Sequence, residues 1–164
     1  MNFNSKSRKG DFINGFMLMM EEFEMYASIK QHKAYIKRWT KFLLNNTGFN
    51  LSTSDIFIRY IILTEFLNNL KYYLDKSFDD KEFQLTNFTS KFKVILVELN
   101  MLCNQKEFKN RDEILIQWML STYMKERTTE NQVKPLRNCL KKIFQYLAKL
   151  SDTKVLKNNS TNWF

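Results

Sequence analysis

Apolar residues recur every three to four positions along most of the chain, which is the spacing of one face of an α-helix. The pattern predicts six helices, separated by polar or charged stretches. They are expected at about residues 11–27, 28–45, 52–74, 85–103, 112–125 and 130–150. The sequence has only three glycines and one proline, too few for the many tight turns of a β-sandwich or barrel. We therefore predict an all-α fold, a single compact domain of five or six helices in an orthogonal or bundle-like arrangement.

Polar residues at the predicted junctions indicate where the helices begin and end. Gly48 is available as a positive-φ cap after the second helix. Ser52 or Ser54 is suited to cap the third helix, and Thr128 or Thr129 is suited to cap the last. The pattern leaves open whether the first and second helices are continuous.

The length and composition are those of a folded domain. At 164 residues, with 44% hydrophobic and 15% aromatic residues, the chain has enough apolar material to bury a substantial core. Large side chains at helical spacing predict core positions for Trp39, Phe92, Trp118 and Leu140. The predicted organisation is a flexible basic tail over 1–10, a helical domain over 11–150 and a polar C-terminal tail over 151–164.

The second and last predicted helices are strongly amphipathic, and each carries a stripe of cationic side chains. A rotation of about 100° per residue places the four lysines of the second helix within about 80° of each other, opposite its apolar residues. This stripe consists of Lys30, Lys33, Lys37 and Lys41, with Arg38 at its edge. The stripe of the last helix consists of Lys134, Arg137, Lys141, Lys142 and Lys149. Two such stripes predict a negatively charged partner.

The positive charge is concentrated in these two parts of the chain. Residues 28–46 carry five positive charges and no negative ones, and residues 133–157 carry a balance of +6. Since the whole chain has a formal net charge of +9, the remainder carries −2. A compositional bias toward lysine would scatter the charge, so the clustering indicates localised cationic surfaces.

Two aromatic residues lie within the basic segment 28–46, where aromatic side chains could serve to stack on bases. Tyr35 and Trp39 point away from the lysines on the helical projection, however. We therefore predict that both are core anchors, and that the lysines contact phosphates with little sequence preference.

The sequence offers little material for catalysis or metal binding. The single histidine, His32, falls on an apolar helix face, where we expect a partly buried structural role rather than that of a base or ligand. Cys103 and Cys139 lie in apolar helical contexts and are predicted to be reduced core thiols. Neither a zinc site of the usual composition nor a Cys–His nucleophile is indicated. We expect no enzymatic activity, no metal and no cofactor.

The predicted location is intracellular, either nuclear or cytoplasmic. The N-terminal apolar stretch is interrupted by Asn14 and followed by glutamates, unlike a signal peptide. No run reaches the roughly 18–20 apolar residues of a membrane span, so a membrane is not an expected partner.

These observations predict a non-enzymatic binding protein whose two cationic helix faces contact a polyanion, which we expect to be DNA or RNA. The alternative is a protein–protein interaction module, a subunit or adaptor of a larger assembly, with an acidic partner surface on the same stripes. The predicted nucleic-acid-binding residues are Lys30, Lys33, Lys37, Arg38, Lys41, Lys134, Arg137, Lys141 and Lys142.

Overall fold

A computed structural model describes residues 5–46, 52–79 and 90–152, and this part of the chain is built from α-helices without a strand. The helices are α1 (Ser5–Tyr26), α2 (Ile29–Asn45), α3 (Thr53–Asp79), α4 (Ser90–Cys103), α5 (Lys106–Lys109), α6 (Arg111–Met124) and α7 (Glu130–Asp152). The predicted all-α fold is confirmed. The described residues form seven helices rather than five or six because a single turn, α5, lies within the predicted break at 104–111.

Several helix boundaries differ from the prediction. Helix α1 begins at Ser5, so residues 5–10 are helical and not part of a loose tail. Helix α3 continues to Asp79, five residues past its predicted end. Helix α7 ends at Asp152, two residues into the predicted C-terminal tail. The remaining tail residues, 1–4 and 153–164, lie outside the described residues.

A capping box separates α1 from α2, so the two helices are not continuous. The Ser28 hydroxyl accepts a hydrogen bond from the Gln31 backbone N–H at 3.1 Å, and the Gln31 side-chain oxygen accepts one from the Ser28 N–H at 2.8 Å. This reciprocal pair satisfies N–H groups that have no partner within the helix. At the other end of α2, Asn46 adopts the left-handed conformation with φ 55°. The predicted cap, Gly48, lies outside the described residues.

The starts of α3 and α7 are fixed in different ways. The Ser52 hydroxyl accepts from the Asp55 N–H at 3.2 Å, as expected for a cap. Thr128 instead uses both its N–H and its hydroxyl to donate to the Leu43 carbonyl, at 2.9 and 3.2 Å. This link holds the start of α7 against the end of α2. The two helices therefore pack antiparallel.

A hydrogen-bonded tryptophan pair joins α2, α6 and α7. The Trp39 indole N–H donates to the Thr122 hydroxyl at 2.7 Å, and that hydroxyl donates to the Trp118 carbonyl at 2.7 Å. The Trp118 indole N–H donates to the Gln132 carbonyl at 3.1 Å. The two indoles meet edge to face with ring centroids 5.5 Å apart. Each buried indole N–H thus has an acceptor, as burial of a polar group requires.

The core prediction is confirmed at all four positions. Trp39, Phe92, Trp118 and Leu140 are each 0% exposed. On the other side of the core, α1 and α3 approach closely at Gly15. A Cβ atom there would lie 2.7 Å from the Tyr73 hydroxyl oxygen, so glycine leaves room for the tyrosine ring between the helices.

Candidate polyanion-binding groove

The cationic stripes of α2 and α7 line the same groove. Its first part, the upper groove, has a volume of about 620 Å³ and receives side chains from both helices. The cations lining it are Lys30, Lys33, Lys37, Arg137 and Lys141. Ala34, Ile36 and Phe144 contribute apolar surface between them. The antiparallel packing explains this arrangement, because it sets the first half of α2 against the middle of α7.

A second part, the lower groove, continues toward the start of α2 and the end of α7. It has a volume of about 690 Å³ and shares Lys30, Lys33 and Phe144 with the upper groove. Lys142 and Lys149 add two further cations from α7. We call the two parts together the cationic groove.

The cationic groove is long enough for several phosphates. Arg137 and Lys149 mark its two ends on α7, and at 1.5 Å per helical residue they are about 18 Å apart along the axis. Phosphates along one strand of B-DNA are spaced about 3.4 Å apart along the axis, so this length corresponds to about five of them.

Acidic side chains are distributed unevenly along the groove. No acidic side chain of the described residues lines the upper groove, whereas Glu98 of α4 lines the lower groove. In residues 5–46, 52–79 and 90–152, none of the five upper-groove cations forms an ion pair with another described side chain. The upper groove is thus a cluster of like charges without internal neutralisation, which favours the approach of an anion.

Three predicted site residues lie outside the cationic groove. Arg38 and Lys41 are exposed on α2 but line neither part. Lys134 forms an ion pair with Glu130, one turn earlier on α7, with the Nζ and Oε1 atoms 3.0 Å apart. The structure therefore brings together Lys30, Lys33, Lys37, Arg137, Lys141 and Lys142 of the nine predicted residues.

Tyr35 and Trp39 are buried, as predicted, and are not placed to stack on bases. Tyr35 is 3% exposed and Trp39 is 0% exposed. The Arg59 guanidinium lies over the Tyr35 ring, 4.3 Å from its centroid. Burial raises the pKa of the Tyr35 hydroxyl well above its usual range, although the charges of Arg59 and Arg38 oppose that shift.

His32 has the structural environment that the sequence predicted. Its ring is stacked on Phe23 with centroids 3.7 Å apart, and Phe23 is stacked in turn on Phe66 at 3.8 Å. The Nε2 atom of His32 is hydrogen-bonded to the Phe23 carbonyl at 2.9 Å. Burial lowers the pKa of His32, and the hydrogen bond to Phe23 opposes that shift. This three-ring stack connects α1, α2 and α3.

Both cysteines are free, buried thiols. Burial raises the pKa of Cys103 to about 12 and that of Cys139 to about 11. The Cys139 thiol donates to the Leu102 carbonyl at 3.6 Å. Since the thiolate is the reactive form, these pKa values make both thiols poor nucleophiles at neutral pH.

Sequence reasoning missed several polar side chains of the lower groove. Tyr146, Gln145 and Gln105 line it beside the lysines. Helical spacing contained a signal for Tyr146, because it lies four residues after Lys142 and three before Lys149 and so shares their face of α7. Gln105 follows α4, and only the tertiary packing brings it to the groove.

The chain matches no family model, no curated protein and no solved structure. In the described part of the chain, no three His, Cys, Asp or Glu side chains are grouped closely enough to hold a metal ion. None of the helices described is both long and apolar enough to cross a bilayer.

Proposed function

We propose that this protein is a non-enzymatic nucleic-acid-binding protein that holds the phosphate backbone of DNA or RNA in the cationic groove. The observation that carries the proposal is the convergence of two cationic stripes, distant in the sequence, on one groove between α2 and α7. Scattered surface lysines would give no such continuous track.

The charge arrangement suits a phosphate chain better than a single small anion. Five cations from two helices line the upper groove, and further cations line the lower groove, so several successive phosphates can each meet a positive charge. Binding then releases condensed counterions and weakens steeply with salt. With about four to six phosphates neutralised, the slope of log affinity against log salt should be roughly −3 to −5.

The test is fluorescence anisotropy with labelled duplex and single-stranded oligonucleotides. We expect binding at about 50 mM salt that is largely independent of sequence. The double variant Lys37→Glu with Lys141→Glu should weaken it by about 10- to 100-fold, because repulsion replaces attraction on both walls of the upper groove. Both side chains are exposed, so the fold should persist, which circular dichroism checks.

The matched control is Lys76→Glu with Lys109→Glu, which changes the net charge equally. Both lysines are exposed and neither lines the cationic groove. Its affinity should remain close to that of the wild type. Equal losses in both double variants would show that net charge, not the groove, governs binding. No detectable binding to any oligonucleotide would refute the proposal and favour an acidic protein partner.

A further inference from the structure

The two parts of the cationic groove differ in chemistry. The upper groove offers cations, apolar surface and one amide, that of Asn138. The lower groove adds the amides of Gln105 and Gln145, the carboxylate of Glu98 and the ring of Tyr146. A carboxylate repels phosphate, so the lower groove is not simply a longer phosphate track.

Two aromatic side chains line the lower groove, and of these Phe144 is fully buried whereas Tyr146 is partly exposed. It is half-buried, with part of its ring packed against the core. The Lys149 ammonium lies over the ring, 5.1 Å from its centroid. The Glu98 carboxylate lies near the Tyr146 hydroxyl in the lower groove, and partial desolvation together with this carboxylate raises the pKa of Tyr146.

These groups match an unpaired base. A base stacks on an aromatic ring, and its amino and carbonyl groups pair with carboxylate and amide side chains. The bases of a duplex are stacked inside it, and their edges lie at the bottom of grooves about 6 or 12 Å wide. An unpaired base can therefore reach a ring in the lower groove more readily than a base within a duplex can.

We propose that the nucleic acid bound in the cationic groove is single-stranded, with phosphates in the upper groove and a base stacked on Tyr146 in the lower groove. This inference rests on the proposed function. When the base occupies the ring face, the Lys149 ammonium moves from the ring to a neighbouring phosphate. One cation–π contact is exchanged for a stacking contact and a charge pair.

The test uses the wild-type protein with three single strands of equal charge and a duplex of the same length. Twelve-residue oligothymidylate and oligouridylate are compared with a twelve-residue strand of abasic sites and with a twelve-base-pair duplex. Each single-stranded ligand with bases should bind at least about fivefold more tightly than the abasic strand, since base stacking contributes beyond the phosphates. Comparing the deoxy and ribo strands shows whether the groove also distinguishes DNA from RNA.

The outcomes separate this inference from the proposed function. Equal affinity for the abasic strand and the strands with bases would overturn the stacking proposal and leave phosphate binding intact. Tighter binding of the duplex than of the single strands would also overturn it. Absence of binding to all four ligands would overturn both proposals.

Two variants at Tyr146 add a residue-level test. Tyr146→Ala should lower affinity for strands with bases by about 5- to 100-fold and leave that for the abasic strand unchanged. Tyr146→Phe keeps the ring and should retain most of the affinity. If Tyr146→Ala weakens both kinds of strand equally, the ring only supports the groove and the proposal is wrong.

Discussion

The cationic groove and a second groove, between α1 and α3, are built in the same way and carry opposite charge. The second groove has a volume of about 150 Å³ and is lined by Met19, Phe23, Tyr26, Ile62 and Phe66 among others. Among the side chains that the structure describes, its charged residues are Glu22 and Glu65, and no cation lines it. Helix packing alone therefore produces a groove, and the charges that line it decide which ligands it attracts.

The comparison also shows why the net charge does not indicate where on this molecule an anion would be attracted. A formal net charge of +9 averages over a strongly cationic groove and an acidic one. An anion within the α1–α3 groove would be repelled by Glu22 and Glu65, whereas one within the upper groove would be attracted by five cations.

The largest effect should come from removing the anchor of the cationic groove. Trp39→Ala leaves a cavity beside Trp118 and removes the donor to Thr122, so we expect a loss of about 3–5 kcal/mol in the free energy of unfolding. Urea denaturation followed by circular dichroism measures it. Trp39→Phe, which keeps an aromatic ring, should lose less. If Trp39→Ala left stability unchanged while abolishing nucleic-acid binding, Trp39 would be a binding residue after all.

The periodicity of the sequence was sufficient to predict the all-α fold and the burial of the large aromatic side chains. The short helix α5 escaped prediction because four residues are too few to show a helical period. The start of α1 was missed because residues 5–10 have no apolar period of their own. Apolar periodicity predicts which residues face the core, and it gives no helix boundary where a segment has no apolar period.

A smaller effect should follow from reversing the acidic groove. Glu22→Lys with Glu65→Lys adds positive charge on the α1–α3 side, where both side chains are exposed. At about 0.1 M salt, charges more than about 10 Å from the ligand are largely screened, so affinity for oligonucleotides should rise by less than about threefold. Anisotropy titration measures this.

The Glu22→Lys, Glu65→Lys variant tests whether the position of a charge matters as well as its sign. Its change in net charge is equal and opposite to that of the Lys37→Glu, Lys141→Glu variant. If its gain in affinity matched the other variant's loss, position would be irrelevant and the two grooves would not differ in function.

Which of the predicted cations would line one groove could be predicted only in part. The helical projection placed all nine cations on the polar faces of α2 and α7. It did not indicate which side of each stripe turns toward the other helix. The packing of α2 against α7 places Lys33 and Lys37 in the groove and leaves Arg38 and Lys41 outside it. That selection depends on tertiary contacts between segments about a hundred residues apart, which no local pattern encodes.

The smallest effect concerns pH and the His32 stack. Burial lowers the pKa of His32 below its ordinary value of 6.5, so the unfolded chain binds a proton more readily than the folded one. The contribution of His32 to stability should be complete above about pH 6.5 and decrease as the pH falls toward its folded pKa. The charged groups acting on it are Arg59, which adds to the shift, and Glu24, which opposes it.

Thermal unfolding between pH 7.5 and pH 5.5 measures this dependence. His32→Phe cannot titrate and retains a ring on Phe23, so its melting temperature should fall less over the same range. Carboxylates that titrate at the lower end affect both proteins alike. A parallel decline in the two would show that His32 contributes nothing to the pH dependence.

The unneutralised cations of the upper groove carry a cost for the unbound protein. The five like charges that line the upper groove repel one another, and this repulsion opposes the packing of α2 against α7. Added salt screens this repulsion and should therefore stabilise the unbound fold. A phosphate chain bound as proposed would relieve the same repulsion directly and would stabilise the folded state further through its binding energy. Under the proposed function, the stability of the unbound protein should thus rise with ionic strength while its affinity for the polyanion falls.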